Sequence, residues 1–372
     1  MTRVTSSLRR PNAVVPRRCF PSLEDPDKTG PRDLPDIGLG ASIRPGAAPV
    51  PFGAPPDSSL DRRLSVETPF EVAIMADENM LAQMATKAGF IAALDQSGGS
   101  TPAALRLYGI PDDAYAGDEE MYRLMHEMRV RIITAPSFSG AKVIGAILFE
   151  RTMDGQAQGK SVPSFLWQDR GVVPFLKVDK GLEAERHGVS LMKPIPGLDS
   201  LLERAAKLGV FGTKMRSFIH FASQDGIEAV VAQQFELAER IAAHGLVPII
   251  EPEVSIRSPD KAGAEAILRE QLLAKLDALK EDRKVMLKLT IPSVPDFYAS
   301  LTSHGRALRV VALSGGYSRT EACQLLSKNH RVIASFSRAL VEQLKASMTD
   351  ARFNAALAES IDEIYLASTV KA

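Results

Sequence analysis

The stretch VMLKLTIP, residues 285–292, has the pattern of a buried β-strand with a single charge in its middle. Seven of its eight residues are apolar or uncharged, and the exception is Lys288. A continuous apolar run of this length is typical of a strand covered on both faces, as in a parallel sheet. An ammonium group buried without a partner is costly, and burial favours the free amine instead. The stretch therefore predicts a parallel-sheet fold and marks one lysine as a candidate for chemistry.

Seven further runs of the same kind occur after residue 76, so that eight candidate strands alternate with helical segments. They are GFIAALD (89–95), KVIGAILF (142–149), VVPFLKVD (172–179), VFGTKMR (210–216), LVPIIEPEV (246–254), LRVVALSG (308–315) and RVIASFS (331–337). Eight βα repeats over about 290 residues fit a closed barrel. We therefore predict an α/β protein with a single-domain (β/α)₈ TIM barrel. An open, doubly wound sheet is the alternative, although the early glycines do not form the dinucleotide pattern G-x-G-x-x-G.

Two of the helical segments have recognisable ends. Residues 226–245 have apolar residues spaced three and four apart and end in a glycine suited to a helix C-cap. Residues 258–280 open with Ser-Pro-Asp, which predicts an N-cap at Ser258 and proline at the first helical position.

Composition narrows the functional classes. The chain has 372 residues and no net charge, so nothing suggests a nucleic-acid partner or an anionic membrane surface. The two cysteines, Cys19 and Cys323, lie far apart and give no disulfide framework, which favours a reduced, cytoplasmic setting. No apolar run reaches the ~20 residues that a membrane helix needs.

Residues 1–74 differ from the rest of the chain. They hold half of the prolines and show no hydrophobic period, so we predict a disordered N-terminal extension before a barrel domain at 75–372. The first ~20 residues carry several arginines and no acid, which is faintly like a transit peptide. A solvated tail, or translation begun upstream of the true start, are the alternatives, because MADENMLAQM at Met75 resembles an ordinary bacterial start.

Charged residues cluster late in the strands or just past them, and in a barrel these ends face the reaction site. They are Asp95, Lys177 with Asp179, Lys214 with Arg216, Glu251 with Glu253, Lys288 and Arg338, while a seventh strand ends in Ser314-Gly315-Gly316. One polar residue in a strand is usually a satisfied core group, but charges from this many strands would meet in one cavity. Cations, carboxylates and a glycine turn together indicate an anionic, phosphorylated carbonyl or sugar substrate.

The lysine in VMLKLTIP suits such a substrate. Held in an apolar strand with other cations close by, it is expected to be more often the free amine, which attacks ketones and forms a Schiff base. The protonated imine then withdraws electrons from the adjacent carbon–carbon bond. A carboxylate must move protons on and off, and Glu251 is well placed for that role.

Eight segments in order now resemble the class I fructose-bisphosphate aldolases, most closely a shorter bacterial branch, over residues 76–370. They are GFIAALDQSGGSTP, GAILFERTMD, GVVPFLKVDKG, FGTKMRS, GLVPIIEPEV, VMLKLTIP, VALSGGYSR and ASFSRAL. The resemblance implies Lys288 as the Schiff-base lysine and Glu251 as the general acid/base. Asp95 would hold the substrate's C4 hydroxyl and assist proton transfer. Lys214 and Arg216 would favour anionic and hydroxyl groups near the imine.

The resemblance also implies a phosphate site. Ser314, Gly315 and Gly316 would offer hydroxyl and backbone N–H groups to the C1 phosphate, and Arg338 would add a bidentate contact. Lys177 would be a further cationic contact. We expect a sugar phosphate as substrate, no cofactor, no metal, and compatibility with a homo-oligomer.

Some positions depart from the animal branch of the family. Gln96 replaces a glutamate, Ala104 replaces an arginine associated with phosphate binding, and the chain ends without a terminal tyrosine. These departures leave the imine chemistry intact but leave open how the C6 phosphate is held. Glu253 would be a supporting carboxylate, with a salt bridge to a neighbouring lysine as the alternative.

Three other functions compete with this one. A metal-dependent aldolase would need histidine ligands, but no two of the six histidines share ligand spacing. Another Schiff-base barrel aldolase, acting on a different sugar phosphate, is the runner-up. A non-catalytic scaffold would not need Lys288, Glu251 or Asp95.

A chain that begins at Met75 should match the full-length protein in melting temperature and turnover, because residues 1–74 lack the apolar pattern of a packed segment. Thermal unfolding and steady-state assays of the two proteins measure this. A clear loss in either would show that the extension contributes to the barrel.

Overall fold

Within residues 69–372, the chain forms eight parallel strands that follow one another around a single sheet. The structure, a computed structural model, describes residues 69–372. The strands are β1 (Phe90–Leu94), β2 (Val143–Leu148), β3 (Val173–Lys177), β4 (Gly212–Ile219), β5 (Val247–Val254), β6 (Val285–Thr290), β7 (Ala307–Leu313) and β8 (Val332–Ala334). Each overlaps the run of residues that predicted it.

The sheet closes on itself. Every strand pairs in parallel with the next one along the chain, from β1 through β8. Between the first and last strands, the N–H of Ala93 donates to the carbonyl of Phe336, just past β8, at 3.0 Å. The predicted (β/α)₈ barrel is confirmed, and the open doubly wound sheet is wrong.

Helices cover the outside of this barrel. Those of eight or more residues within 69–372 are α1 (Pro69–Thr86), α2 (Thr101–Tyr108), α3 (Gly117–Thr134), α4 (Leu198–Lys207), α5 (Gln224–Ala243), α6 (Lys261–Ala278), α7 (Arg319–Leu326) and α8 (Asp350–Thr369). Short helical segments lie at Gly98–Ser100, Asp112–Ala114, Glu150–Met153, Val162–Ser164, Phe165–Asp169, Ala299–Thr302 and Arg338–Val341. A small hairpin joins Gln156–Ala157 to Lys160–Ser161, and Val189–Ser190 pairs antiparallel with the end of β4.

One predicted helix end is correct and one is wrong. Gly245 follows α5 with φ +75°, the left-handed conformation of a glycine cap. The N-cap of α6 is Asp260 rather than Ser258, because the carboxylate of Asp260 accepts from the N–H of Gly263 at 2.9 Å. Pro259 therefore precedes the cap instead of occupying the first helical position.

The interior of the barrel is an apolar cluster made by alternate residues of the strands. Its strand members include Ile91, Ala93, Ile144, Ile147, Val173, Phe175, Ile249, Met286, Val311 and Ile333. Since side chains alternate between faces, the same inward face continues to Asp95 after Ala93, to Glu251 after Ile249 and to Lys288 after Met286. The apolar filling thus ends where the charged residues begin.

Helix α1 packs against the amino end of this interior. Met80 and Met84 join the apolar cluster, and Met84 is fully buried. The side-chain amide of Gln83 donates to the carbonyls of Ile144 and Gly171, both at 2.8 Å. The predicted disordered extension falls mostly outside the described residues, but α1 already begins at Pro69, six residues before the predicted boundary at 75.

The last residues of the chain lie at the same amino end. Lys371 Nζ donates to the carbonyl of Val332, at the start of β8, at 2.7 Å, and the N–H of Ala372 donates to Ser327 at 2.9 Å. They are therefore away from the carboxyl ends of the strands. Within residues 69–372, the helices are all too short or too polar to cross a membrane.

Met84→Ala should lower the free energy of unfolding by about 2–5 kcal/mol, because it leaves a cavity at the amino end of the barrel. Leu81→Ala, at a partly exposed position of the same helix, is the matched control and should have little effect. Urea titrations of both variants measure the difference, and equal losses would contradict the packing described for α1.

Candidate active site

A cavity of about 890 Å³ opens at the carboxyl ends of the strands. It brings together every residue that the sequence predicted for the site except Lys214. Those that line it are Asp95, Lys177, Arg216, Glu251, Glu253, Lys288, Ser314, Gly315, Gly316 and Arg338. Residues far apart in sequence therefore share one space, as strand ends in a barrel should.

Three charged groups, Asp95, Glu251 and Lys288, form the floor of this cavity, and a fourth, Lys214, lies beneath it. Lys214 Nζ lies 2.5 Å from Asp95 Oδ2 and 2.9 Å from Glu251 Oε2. Lys288 Nζ lies 3.0 Å from Glu251 Oε1. All four residues are buried, none being more than 8 % exposed. Two carboxylates and two ammonium groups thus alternate in one chain of contacts, with Lys214 beneath the floor and Lys288 open to the cavity.

The two lysines determine the charge of the carboxylates. Burial by itself would raise the pKa of Asp95, but Lys214, Lys288 and Lys177 outweigh burial and hold that pKa below its ordinary value. Burial opposes Lys214 and Lys288 in the same way at Glu251, whose pKa also lies below its ordinary value. For Lys214, Asp95 and Glu251 outweigh burial and raise the pKa well above its usual range. Both carboxylates are therefore ionised at neutral pH, and Lys214 is permanently charged.

The surroundings of Lys288 differ in one respect from the sequence expectation. Its strand neighbours are buried and apolar, as predicted: Leu287 and Leu289 are at most 1 % exposed. The charged group nearest to its amine, however, is the carboxylate of Glu251 rather than another cation. A proton can therefore pass directly between this amine and a carboxylate within hydrogen-bond distance.

A second layer of ion pairs lies on the wall of the cavity. Lys177 Nζ is 2.6 Å from Asp179 Oδ1, and Arg216 Nε is 2.5 Å from Glu253 Oε2. The salt bridge considered for Glu253 thus exists, but its partner is an arginine rather than a lysine. Asp179 was seen only as one of the strand-end charges, although its second carboxylate oxygen is buried beside the cavity without a hydrogen bond among the described residues.

The glycine turn after β7 offers backbone donors to the cavity. Gly315 and Gly316 have φ +59° and +109°, and the N–H of Tyr317 closes the turn onto Ser314 at 2.9 Å. A Cβ at Gly315 would come to 2.7 Å from Ile256 at a left-handed backbone conformation, so this position favours glycine. Neither glycine N–H donates to another residue within 69–372.

Among the cations that line the cavity, Arg338 is the one whose side chain pairs with no other residue of the described chain. It is exposed, and its guanidinium makes no hydrogen bond or ion pair with other residues of the described chain. By contrast, Lys177, Lys180, Arg216 and Lys288 each pair with a carboxylate. The glycine turn and Arg338 therefore make an end of the cavity that is ready for an anion.

Sequence reasoning missed the residues that hold the first strand end in place. Arg129 of α3 is 2 % exposed and donates to the carbonyl of Gln96 and to Thr152 Oγ1, the latter at 2.9 Å. Burial lowers the pKa of Arg129 to about 10, so it remains charged at neutral pH. The side chain of Gln96 in turn donates to Ser337 Oγ at 2.8 Å, linking β1 to the residue before Arg338. An arginine among methionines gives no sequence signal for this role.

The histidines lie elsewhere. All six fall within the described residues, and none lines the cavity. Within 69–372, no three His, Cys, Asp or Glu side chains are arranged so that they could hold a metal ion. The metal-dependent alternative therefore finds no imidazole ligand at this site, while metal independence itself stays a prediction.

Comparisons with known proteins agree with this geometry. A family model described as class-I fructose-bisphosphate aldolase matches residues 76–294. The fructose-bisphosphate aldolase class 1 of Porphyromonas gingivalis is 57 % identical over 292 residues, which cover 78 % of this chain and 99 % of that protein. The protein of the same name from Synechocystis sp. is 56 % identical over 292 residues, which cover 78 % and 97 %. This chain belongs to the class I fructose-bisphosphate aldolase family.

A solved structure shares the fold. Fructose-bisphosphate aldolase from Plasmodium falciparum, in complex with TRAP and a small-molecule inhibitor, matches with a TM-score of 0.63 at 22 % identity. The match covers 81 % of this chain and 96 % of that one. At this identity the likeness supports the barrel and no more.

Lys214→Met should lower the free energy of unfolding at neutral pH by about 3–5 kcal/mol, because it leaves two buried carboxylates without the cation between them. Depressed carboxyl pKa values contribute stability above the ordinary value of about 4, and this contribution is lost as pH falls. Since the depression is weaker in the variant, the difference between the two proteins should stay constant down to about pH 4 and shrink between about pH 4 and pH 2.

Urea titrations across this range of pH measure that difference. Lys207→Met, at an exposed position of α4, is the control and should leave stability unchanged. A loss for Lys214→Met that does not vary with pH would contradict the electrostatic role given to this lysine.

Proposed function

We propose that this chain is a Schiff-base aldolase that reversibly cleaves fructose 1,6-bisphosphate into dihydroxyacetone phosphate and glyceraldehyde 3-phosphate, the aldolase step of glycolysis and gluconeogenesis. The observation that carries the proposal is the 3.0 Å contact between Lys288 Nζ and Glu251 Oε1 on the floor of the cavity. It supports the proposal because an amine and a carboxylate this close can act as nucleophile and proton-transfer group on the same substrate atom.

Imine formation follows from this contact. Glu251 takes a proton from Lys288, and the free amine attacks the C2 ketone of the sugar to give a carbinolamine. The neutral Glu251 then returns a proton to the carbinolamine oxygen, which leaves as water while a protonated imine forms. Burial of the pair makes the exchange direct, because no bulk water separates the two groups.

Carbon–carbon cleavage needs a second base. Asp95 accepts the proton of the C4 hydroxyl as the C3–C4 bond breaks, and the bonding electrons move into the imine to give an enamine. Glyceraldehyde 3-phosphate leaves, and a proton returned to C3 regenerates the imine, which water hydrolyses to dihydroxyacetone phosphate and free Lys288. Lys214, which is 2.5 Å from Asp95, keeps this carboxylate ionised and ready to accept.

The remaining residues bind the substrate. The C1 phosphate lies against Ser314, Gly315 and Gly316, with a bidentate contact from Arg338. This placement agrees with the usual phosphate site of barrels, at the loops after the seventh and eighth strands. Lys177 and Arg216 supply further cationic contacts, and Glu253 orients Arg216.

Other expectations stay predictions. A homo-oligomer and a cytoplasmic location are compatible with the family, and a different sugar phosphate remains the runner-up substrate. Product analysis with several sugar phosphates shows whether fructose 1,6-bisphosphate or a different sugar phosphate is the substrate. Activity that disappears on exhaustive chelation and returns with zinc would favour the metal-dependent mechanism.

Lys288→Met should lower turnover by several orders of magnitude while the barrel stays folded, because methionine keeps a similar volume and apolar character and removes the amine. In the wild-type protein, borohydride added with fructose 1,6-bisphosphate should leave a stable adduct on the peptide that contains Lys288. Peptide mass mapping locates this adduct.

Lys177→Met is the matched control for that experiment. It removes another cavity lysine and should slow turnover, yet trapping at Lys288 should remain detectable. An adduct on Lys177 or Lys214, or near-normal turnover in Lys288→Met, would show that the mechanism is wrong.

Arg338→Ala should raise the KM for fructose 1,6-bisphosphate roughly ten- to a hundred-fold, because a hydrogen bond to a charged group contributes about 1.5–3 kcal/mol. Arg352→Ala removes an exposed arginine on the outer helix α8 and is the control. Steady-state kinetics on both variants decide the point, and an unchanged KM for Arg338→Ala would place the phosphate elsewhere.

A further inference from the structure

The hydrogen-bonded ladder between β5 and β6 stops where the reacting groups meet. Its paired residues are only Ile249 with Met286 and Ile250 with Leu287. On the other side of β5, by contrast, the ladder with β4 runs through all eight residues of both strands. The next residues of β5 and β6 are Glu251 and Lys288, so the two groups whose side chains touch lie just beyond the end of the ladder.

A helix side chain takes over where the ladder stops. The N–H of Glu251 donates to Gln234 Oε1 of α5 at 2.9 Å. Further along, Thr290 Oγ1 of β6 donates to the carbonyl of Val254 at 2.7 Å and joins the two strands again. The backbone of Glu251 is therefore held by Gln234, at a position between the end of the β5–β6 ladder and the Thr290–Val254 hydrogen bond.

Gln234 is a polar residue on the apolar inner face of α5, and the hydrogen bond to Glu251 accounts for its presence there. It is fully buried, and the rest of the inner face of α5 consists of apolar residues and one glycine. Its Nε2 group is buried and has no hydrogen-bond partner within the described chain. A buried amide is unfavourable on an apolar face, and the only hydrogen bond that its side chain makes among the described residues is to Glu251.

Gln234 does not line the cavity, so it cannot touch substrate. We infer that Gln234 is a positioning residue, which fixes the backbone of Glu251 so that its carboxylate faces both Lys214 and Lys288. This inference rests on the proposed acid/base role of Glu251. Without the Gln234 acceptor, the freed N–H turns to another partner and the carboxylate moves off Lys288.

Gln234→Met tests this role, because methionine matches the length of glutamine and lacks the amide acceptor. We expect kcat to fall about ten- to a hundred-fold, since a displacement of 1 Å in a reacting group can cost that much. The KM should change less than about three-fold, since phosphate contacts are untouched.

A double-mutant cycle gives the readout that a general loss of structure would not give. In the Glu251→Ala background, Gln234→Met should cause no further loss of kcat, because the residue that it positions is gone. An equal loss in both backgrounds would overturn the inference. If Glu251→Ala itself keeps normal turnover, the proposed function fails instead; if Glu251→Ala is inactive but Gln234→Met is unaffected, only the present inference fails.

Ser368→Ala is the matched structural control. Ser368 of α8 accepts from the N–H of Ala334 on β8 at 3.0 Å, which is the same kind of helix-to-strand bond behind a residue without a proposed role. It should lower the melting temperature while leaving kcat unchanged.

If Gln234→Met does not fold, Gln234→Glu carries the test, because it keeps the accepting oxygen. Its kcat must stay within about three-fold of the wild type at a pH where this buried carboxyl is protonated, and a larger loss overturns the inference.

Discussion

Two buried carboxylates share one lysine, and the chemistry of the site depends on that arrangement. Asp95 and Glu251 could not both remain ionised in an apolar interior if nothing separated them, because one would take up a proton. Lys214 lies between them, at 2.5 Å and 2.9 Å, and its own charge is fixed by the pair. With Lys288 the cluster is neutral overall, so a proton can move from amine to carboxylate without leaving a net charge behind.

The barrel explains how such a cluster can exist. Three of its members come from different strands and the fourth, Asp95, directly follows β1, and the period of two in a strand turns each side chain to the same interior. Lower in the barrel, that interior is filled by apolar residues and closed by Met84 of α1. The strand ends are then fixed from outside by buried polar side chains, Arg129 behind β1 and Gln234 behind β5. The buried ion pairs of the floor contrast with Arg338, which is exposed and pairs with no other residue of the described chain.

The sequence predicted the barrel because its strands are continuous apolar runs, a local signal that survives without tertiary information. It also predicted the residues that line the cavity, since strand-end charges must converge in a closed barrel. It could not show that Lys214 lies beneath the floor, because strand period fixes a face but not a depth. The partners of Glu253 and Lys288 were misjudged for a related reason: register between strands sets which charges touch. Ser258 and Asp260 were equally good caps by residue type, and only the turn geometry selected Asp260.

The charge of Glu251 in the free protein is the central claim, and carbon-13 NMR of glutamate carboxyl groups measures it. Comparison with Glu251→Gln identifies the resonance. The account predicts that it keeps the chemical shift of an ionised carboxylate from about pH 8 down past the ordinary glutamate pKa of about 4.3, because Lys214 and Lys288 outweigh burial. A Glu251 that takes up its proton at or above that ordinary value would contradict the arrangement described for the site.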